Sequence, residues 1–174
     1  MRSHDSEYAD FVRARGTALL RTAHLMASGP SQAEDLLQVS LTKTYLAWHR
    51  LRDPSAAEAY TRRVLANASI SWWRQKPNRL ERPAEVLPEV GVEHPAADLA
   101  ERAAMMDALR RLSPQQRAVL VLRYYEDLSE AQIAATLGLS TGSVKSHASR
   151  GLAKLRILLG DGDDLTTQMT QEPT

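Results

Sequence analysis

Between Leu139 and Gly151 the chain reads LSTGSVKSHASRG. Serines fall at 140, 143, 146 and 149, with Lys145, His147 and Arg150 among them. Short hydroxyl side chains let a surface come close to its partner, and each can donate and accept a hydrogen bond. Long cations between them can reach phosphates or the acceptor edge of guanine. Ser143, Lys145, Ser146, His147, Ser149 and Arg150 are therefore candidates for contact with DNA. The segment Ala59 to Gln75, AYTRRVLANASISWWRQ, differs in kind: it interleaves Arg62, Arg63 and Arg74 with Tyr60, Trp72 and Trp73. Bases taken out of a duplex stack on aromatic faces while cations hold the backbone. Asn67 carries the paired donor and acceptor that reads a base edge. Trp72 shares a stripe with Tyr60 and Val64 and reads as core. Trp73 and Asn67 fit surface packing as well as they fit a nucleic-acid role.

Other chemistries find little support. The five histidines (His4, His24, His49, His94, His147) are scattered, with no pair at metal-ligand spacing. There is no cysteine, which excludes disulfides, thiol catalysis and thiolate metal sites. Glu34 and Asp35 are adjacent, so on a helix they diverge by about a hundred degrees instead of converging on one substrate. No glycine-rich loop is present to cradle a phosphate. No metal, no cofactor and no enzymatic activity are expected. No apolar run is long enough to cross a membrane, and the N-terminal MRSHDSEYADF lacks a signal-peptide core, so a cytoplasmic protein is expected.

The net charge of +1 conceals strong segregation. Residues 60–82 carry six basic groups against Glu81, and residues 140–158 carry Lys145, Arg150, Lys154 and Arg156 with no acid. Residues 83–108 carry six acids against Arg102. Two basic segments separated by an acidic one suit two surfaces for a polyanion.

The elements that must position these residues all read as helix. Glu7 to Ala27 has Tyr8, Phe11, Val12, Leu19, Leu20 and Ala23 at helical spacing and stops at Gly29-Pro30. Ser31 and Glu34 form a capping-box pattern ahead of Leu36, Leu37, Leu41, Tyr45 and Trp48; Ser55 and Glu58 form another ahead of Tyr60, Val64, Ala68 and Trp72. Pro77, Pro83, Pro88 and Pro95 punctuate an acidic linker with no sustained period. Helical order returns at Asp98. Ser113-Pro114 opens a helix over AVLVLRYY, which its composition alone would also allow as a strand. Ser129 and Gln132 make a capping box, Gly138 suits a left-handed helix end, and Ser140 suits the cap of the next helix. Val144, Ala148, Leu152 and Leu155 then repeat at helical spacing. A short helix, a tight glycine turn and a second helix with a basic, small-residue outer face are the pattern of a helix-turn-helix. The tail beyond residue 158 is acidic, polar and expected to be disordered.

With these motifs in place, the chain resembles bacterial sigma factors of RNA polymerase, of the small extracytoplasmic-function type and its actinobacterial SigE-like branch. Ala33–Trp48 (AEDLLQVSLTKTYLAW) is similar to that family's polymerase-binding part of region 2, and Ala59–Gln75 to its promoter-melting part. Leu109–Arg156 is similar to region 4. The resemblance spans about residues 7–156. It implies an all-α fold: a region 2 bundle of three to four helices over 1–76, a linker over 77–97 and a helix-turn-helix region 4 over 98–158, with a tail over 159–174. It further implies that Asp35, Leu36 and Gln38 touch the clamp helices of the polymerase β′ subunit. By the same resemblance, Arg62, Arg63, Asn67, Ser71, Trp73 and Arg74 are expected to open the minus-ten element. The six residues from Ser143 to Arg150 named above bind the minus-thirty-five element, and region 4 touches the β flap. Core RNA polymerase, promoter DNA and an anti-sigma factor are the implied partners. Many relatives have Asp at Ser71, Thr at Ser143 and Ala at Gly151. Glycine inside a helix costs about 0.5–1 kcal/mol relative to alanine, so Gly151 reads as a bend or an early end of the recognition helix. A stand-alone helix-turn-helix regulator with an N-terminal sensing or partner-binding helical domain is the competing reading.

Overall fold

A computed structural model describes residues 4–51, 53–75 and 96–160. The expected linker falls almost entirely outside these residues, as does the tail beyond Gly160. The described residues are helical with no strand, and the chain divides into two compact units, Met1–Glu81 and Arg82–Thr174.

The first unit holds α1 (His4–Met26), α2 (Pro30–Ala47) with a short 3-10 turn at Trp48–Arg50, and α3 (Pro54–Gln75). All three pack against one another. Phe11, Leu19, Ala23 and Met26 of α1 are buried, with Leu36 of α2 and Leu65 of α3. Tyr8, Phe11 and Trp48 form an aromatic corner: the Tyr8 and Trp48 rings meet edge to face at 5.3 Å, and Tyr8 donates to the Leu41 carbonyl at 2.9 Å. Burial, and then the neighbouring Tyr45, raise the Tyr8 pKa above its usual value, so the hydroxyl stays a donor.

Both expected capping boxes of this unit are corrected. The α2 helix begins one residue before Ser31, with Gly29 as N-cap and Pro30 at its first position. Proline's fixed φ suits that place and its missing N–H is not needed there. At α3 the cap is Asp53, whose carboxylate accepts from the Ala56 N–H at 2.8 Å and from the Ser55 hydroxyl.

The buried face of α3 also differs from the expected stripe. Ala57, Thr61, Leu65, Ala66, Ser69 and Ile70 face inward, while Tyr60, Val64, Ala68 and Trp72 are half-buried on the flank. Across from them α2 buries Ala33, Leu36, Ser40, Thr44 and Ala47. Small side chains let two helix backbones approach closely. The polar ones are satisfied locally: Ser40 donates to the Leu36 carbonyl at 2.7 Å, Thr44 to Ser40 at 2.8 Å and Thr61 to Ala57 at 2.7 Å. Between the helices the Thr44 and Thr61 hydroxyls lie 2.8 Å apart. Two hydroxyl protons thus serve three hydrogen-bond contacts, two at a time.

The second unit holds α4 (Ala96–Arg110), α5 (Pro114–Leu120) with a π-helical turn at Val121–Tyr125, α6 (Glu130–Leu137) and α7 (Thr141–Leu159). Helical order starts at Ala96, two residues ahead of Asp98. The AVLVL segment lacks a helical period because Ala118, Val119, Leu120, Val121 and Leu122 are all buried; a helix enclosed on every side needs no polar stripe. Arg117 is buried with them and closes the end of α4, donating to the Leu109 and Arg110 carbonyls, each at 2.8 Å. Burial, and then the Arg110 charge, lower its pKa to about 10, so it stays protonated at neutral pH.

Gly151 is neither a bend nor an end. The α7 helix runs through it to Leu159, and it is buried against α5. A Cβ at this position would stand 2.9 Å from Leu120 Cδ1, 3.3 Å from its Cγ and 3.4 Å from Gln116 Cβ. The two helices cross closely here, and a methyl group would have to displace the end of the Leu120 side chain.

Candidate nucleic-acid interface

The helix-turn-helix is set by local hydrogen bonds that close in sequence. Ser129 accepts from the Gln132 N–H at 3.2 Å, and the Gln132 side chain accepts from the Ser129 N–H at 2.8 Å. Gly138 takes φ 66°, left-handed, and the Leu139 N–H returns to the Ala134 carbonyl at 3.0 Å. Ser140 then caps α7 by accepting from the Ser143 N–H at 3.1 Å. The angle between α6 and α7 follows from these closures and from Ile133, Leu137, Val144 and Ala148, all buried between them and α5.

With Val144, Ala148, Gly151 and Leu155 turned inward, the opposite face of α7 presents Lys145, Ser149 and Arg150, all exposed. Ser146 is half-buried beside them. Ser143 is also half-buried, and its hydroxyl oxygen accepts from that of Ser140 at 2.9 Å, so part of its capacity is spent on the cap. His147 is half-buried with its Nδ1 enclosed and lacking a hydrogen-bond partner.

Three residues outside the expected set, Glu130, Arg123 and Arg156, join this surface. Glu130, at the start of α6, pairs through Oε1 with Arg123 at 3.0 Å and through Oε2 with Lys145 at 3.7 Å. The Arg123 guanidinium lies 5.6 Å from the Tyr124 ring centre. A shallow groove of about 290 Å³ runs between the π-helical turn and α7, with Arg123, Lys145 and Arg156 in its walls and Ser149 beside them. Only the π-helical turn, whose closing bond runs from the Glu126 N–H to the Val121 carbonyl at 3.0 Å, brings Arg123 here. No composition signal marks such a turn.

In the first unit α3 gathers Arg63, Asn67, Ser71 and Arg74 on one exposed face, at spacings of four, four and three. The Asn67 side chain donates to the Arg63 carbonyl at 2.9 Å. Arg62 stands off that face: it is half-buried and pairs with Glu58 at 3.2 Å, which also pairs with Arg15 at 3.2 Å. Trp73 is half-buried.

On α2 the expected polymerase contacts separate. Asp35 and Gln38 are exposed, but Leu36 is fully buried in the bundle. A direct contact through Leu36 is therefore corrected: the helical period that turns Asp35 outward turns its neighbour inward. The row Gln38, Thr42 and Leu46 continues the outer face instead, with Leu46 at 67% exposed and Tyr45 at 40%. Leu46 and Tyr45 are the large apolar residues of α2 that stand exposed, off its inward stripe. Among the described residues no group of three His, Asp or Glu side chains could hold a metal ion, and no helix is long and apolar enough to cross a membrane.

Comparison with known proteins agrees with this division. Residues 11–79 match the model of sigma-70 region 2, and residues 102–155 match that of sigma-70 region 4. The chain is 44% identical over 151 residues to the RNA polymerase sigma-E factor of Streptomyces coelicolor, covering 86% of this chain and 84% of that one. It is 45% identical over 151 residues to the sigma-E factor of Streptomyces antibioticus, covering 86% and 83%. Among solved structures it is similar to the sigma factor RpoE of Bartonella quintana, captured with the anti-sigma factor NepR. The TM-score is 0.70 at 25% identity, over 90% of this chain and 98% of that one. The two matched regions, in this order and together over most of the chain, place the protein in the sigma-70 family of bacterial RNA polymerase sigma factors, among those of extracytoplasmic-function type.

Proposed function

We propose that this protein is a promoter-specificity subunit: it binds core RNA polymerase and directs it to start transcription at a defined set of promoters. The observation that carries this reading is the presence of both sigma regions on one chain. A stand-alone helix-turn-helix regulator has no need of region 2.

The labour divides between the two units. In region 4, α7 enters the major groove of the minus-thirty-five element, where Lys145, Ser149 and Arg150 reach outward and Ser146 leaves room for close approach. Arg123 and Arg156 flank it as phosphate contacts. In region 2, the face of Arg63, Asn67, Ser71 and Arg74 holds the opened minus-ten strand, with Trp73 beside it and Asn67 at a base taken out of the stack. The outer face of α2, with Asp35, Gln38 and Leu46, docks on the β′ clamp helices, and region 4 meets the β flap. Such a protein works in the cytoplasm, beside the polymerase. An anti-sigma factor is a further partner, as one is for the Bartonella relative.

The test is run-off transcription with purified core polymerase on genomic DNA of the source organism, with the transcripts sequenced. Specific start sites that appear only with this protein are expected. Folded protein that binds core polymerase yet yields no specific start would refute the reading.

A further inference from the structure

Glu130 pairs with two cations of the region 4 surface, and its two oxygens hold cations from two different elements. Arg123 belongs to the π-helical turn and Lys145 to the recognition helix. An acid in the first turn of a helix is favoured by the helix dipole wherever it points. That ordinary role does not require the carboxylate to reach across to either cation. Here the side chain is 30% exposed, while Lys145 remains 67% exposed and Arg123 36%, so the pairs stand at the rim where phosphate would arrive.

From this geometry we infer that Glu130 is a specificity-determining residue, which restrains Lys145 and Arg123 and lowers the charge that this surface offers to any duplex. The inference rests on region 4 being the reader of upstream promoter DNA. Non-specific affinity comes almost wholly from cations neutralising phosphates, and it carries no sequence information. A carboxylate shared by two of those cations subtracts from that term at every sequence alike. Contacts to base edges, made by Arg150 and its neighbours, are left untouched. Glu130 also repels a phosphate that approaches before the right bases are in register. Discrimination is a difference of affinities, and a repulsive element that weakens the wrong partner raises it. Holding Lys145 against α6 adds a second effect, because a tethered amine samples fewer phosphates than a free one.

The test compares the full chain, bound to core polymerase, with its Glu130→Gln variant. The probes are two labelled duplexes: one carries a start site mapped in the transcription experiment above, the other has its upstream element scrambled. Affinity is measured across a salt series. Removing one negative charge should steepen the salt dependence of log K by about 0.9 and tighten binding of the scrambled duplex about fivefold near 0.15 M salt. The mapped duplex should gain less, so discrimination falls. Glu130→Asp keeps the charge and should restore the wild-type slope. Glu130→Ala, which keeps a strong helix former, serves should the glutamine variant not fold. Equal salt slopes and equal discrimination in wild type and Glu130→Gln would overturn the inference. Wild-type protein that fails to distinguish the two duplexes would instead count against the reading of region 4 itself.

Discussion

The two units bury different things. Region 4 encloses large branched side chains, among them Val119, Leu120, Val121, Leu122 and Ile133, and keeps most of its polar satisfaction at helix ends. Region 2 joins α2 to α3 through alanine, serine and threonine, with hydroxyls bonded in the middle of the helices. Branched apolar cores interlock by shape and are damaged by lost volume. A small-residue seam is held by close approach, and its hydroxyls fix the register. The outer surfaces differ less. On the outside, α7 of region 4 shows short serines along residues 143–149 but also leaves Ile157 exposed, while region 2 leaves Tyr45 and Leu46 outside.

The contrast can be broken by substitution. The largest effect is expected for Leu120→Ala, which should cost about 2–5 kcal/mol in urea denaturation of the full chain, followed by probes of region 4. Gly151→Val should cost about 1–3 kcal/mol by overpacking against the same Leu120, whereas Gly151→Ala should lie near neutral, as better helix propensity offsets the crowding. On the binding side, Arg150→Ala should weaken duplex promoter binding by about 1–3 kcal/mol and relax sequence preference. Asn67→Ala should spare duplex binding and instead reduce the open complex, followed by permanganate reactivity of unpaired thymines. If Asn67→Ala and Arg150→Ala impair the same step, the division of labour between the units is wrong. In region 2, Thr44→Val should cost about 1 kcal/mol, and Thr44→Val with Thr61→Val less than the two singles summed, because the hydroxyls serve one another. A Thr44→Val loss as large as that of Leu120→Ala would erase the contrast.

The smallest effect concerns Asp53. The Ser55 hydroxyl bond, and then the Ala56 N–H, hold its carboxylate below the usual range. A folded-state pKa below the unfolded one gives stability that is present above the unfolded value and is lost as pH falls through the folded one. Thermal melts of wild type and Asp53→Asn should therefore differ slightly at pH 7 and converge in the acid range. A constant difference down to pH 2 would exclude a role for the charge.

The helix-turn-helix was legible residue by residue because its signals are local. Ser129, Gln132, Gly138 and Ser140 each act on backbone groups within a few positions, and the structure shows each doing so. The inward face of α3 was not, because Thr61 and Ser69 look like surface residues until an α-helical carbonyl satisfies them. The apolar residues at spacing four therefore drew attention to the flank. Leu36 was misplaced because motif resemblance carries no facing direction, whereas burial does. Arg63, Asn67, Ser71 and Arg74 share one face by period, and the same period turns Arg62 about a hundred degrees away, where it pairs with Glu58. Glu130 and Arg123 could not have been paired from sequence, since the π-helical turn that joins them has no signature of its own.

Gly151 ties reading to packing in a mechanical sense. The residues of 143–150 proposed to meet DNA lie on the same helix, within about 12 Å of the point where α7 rests on Leu120. A methyl group added there would stand 2.9 Å from Leu120 Cδ1, so either that side chain or the helix must shift. Leu120 meets no solvent, yet it is the side chain on which the helix carrying those residues rests. We therefore expect substitutions at Leu120 or Gly151 to alter promoter preference with every proposed contact residue unchanged.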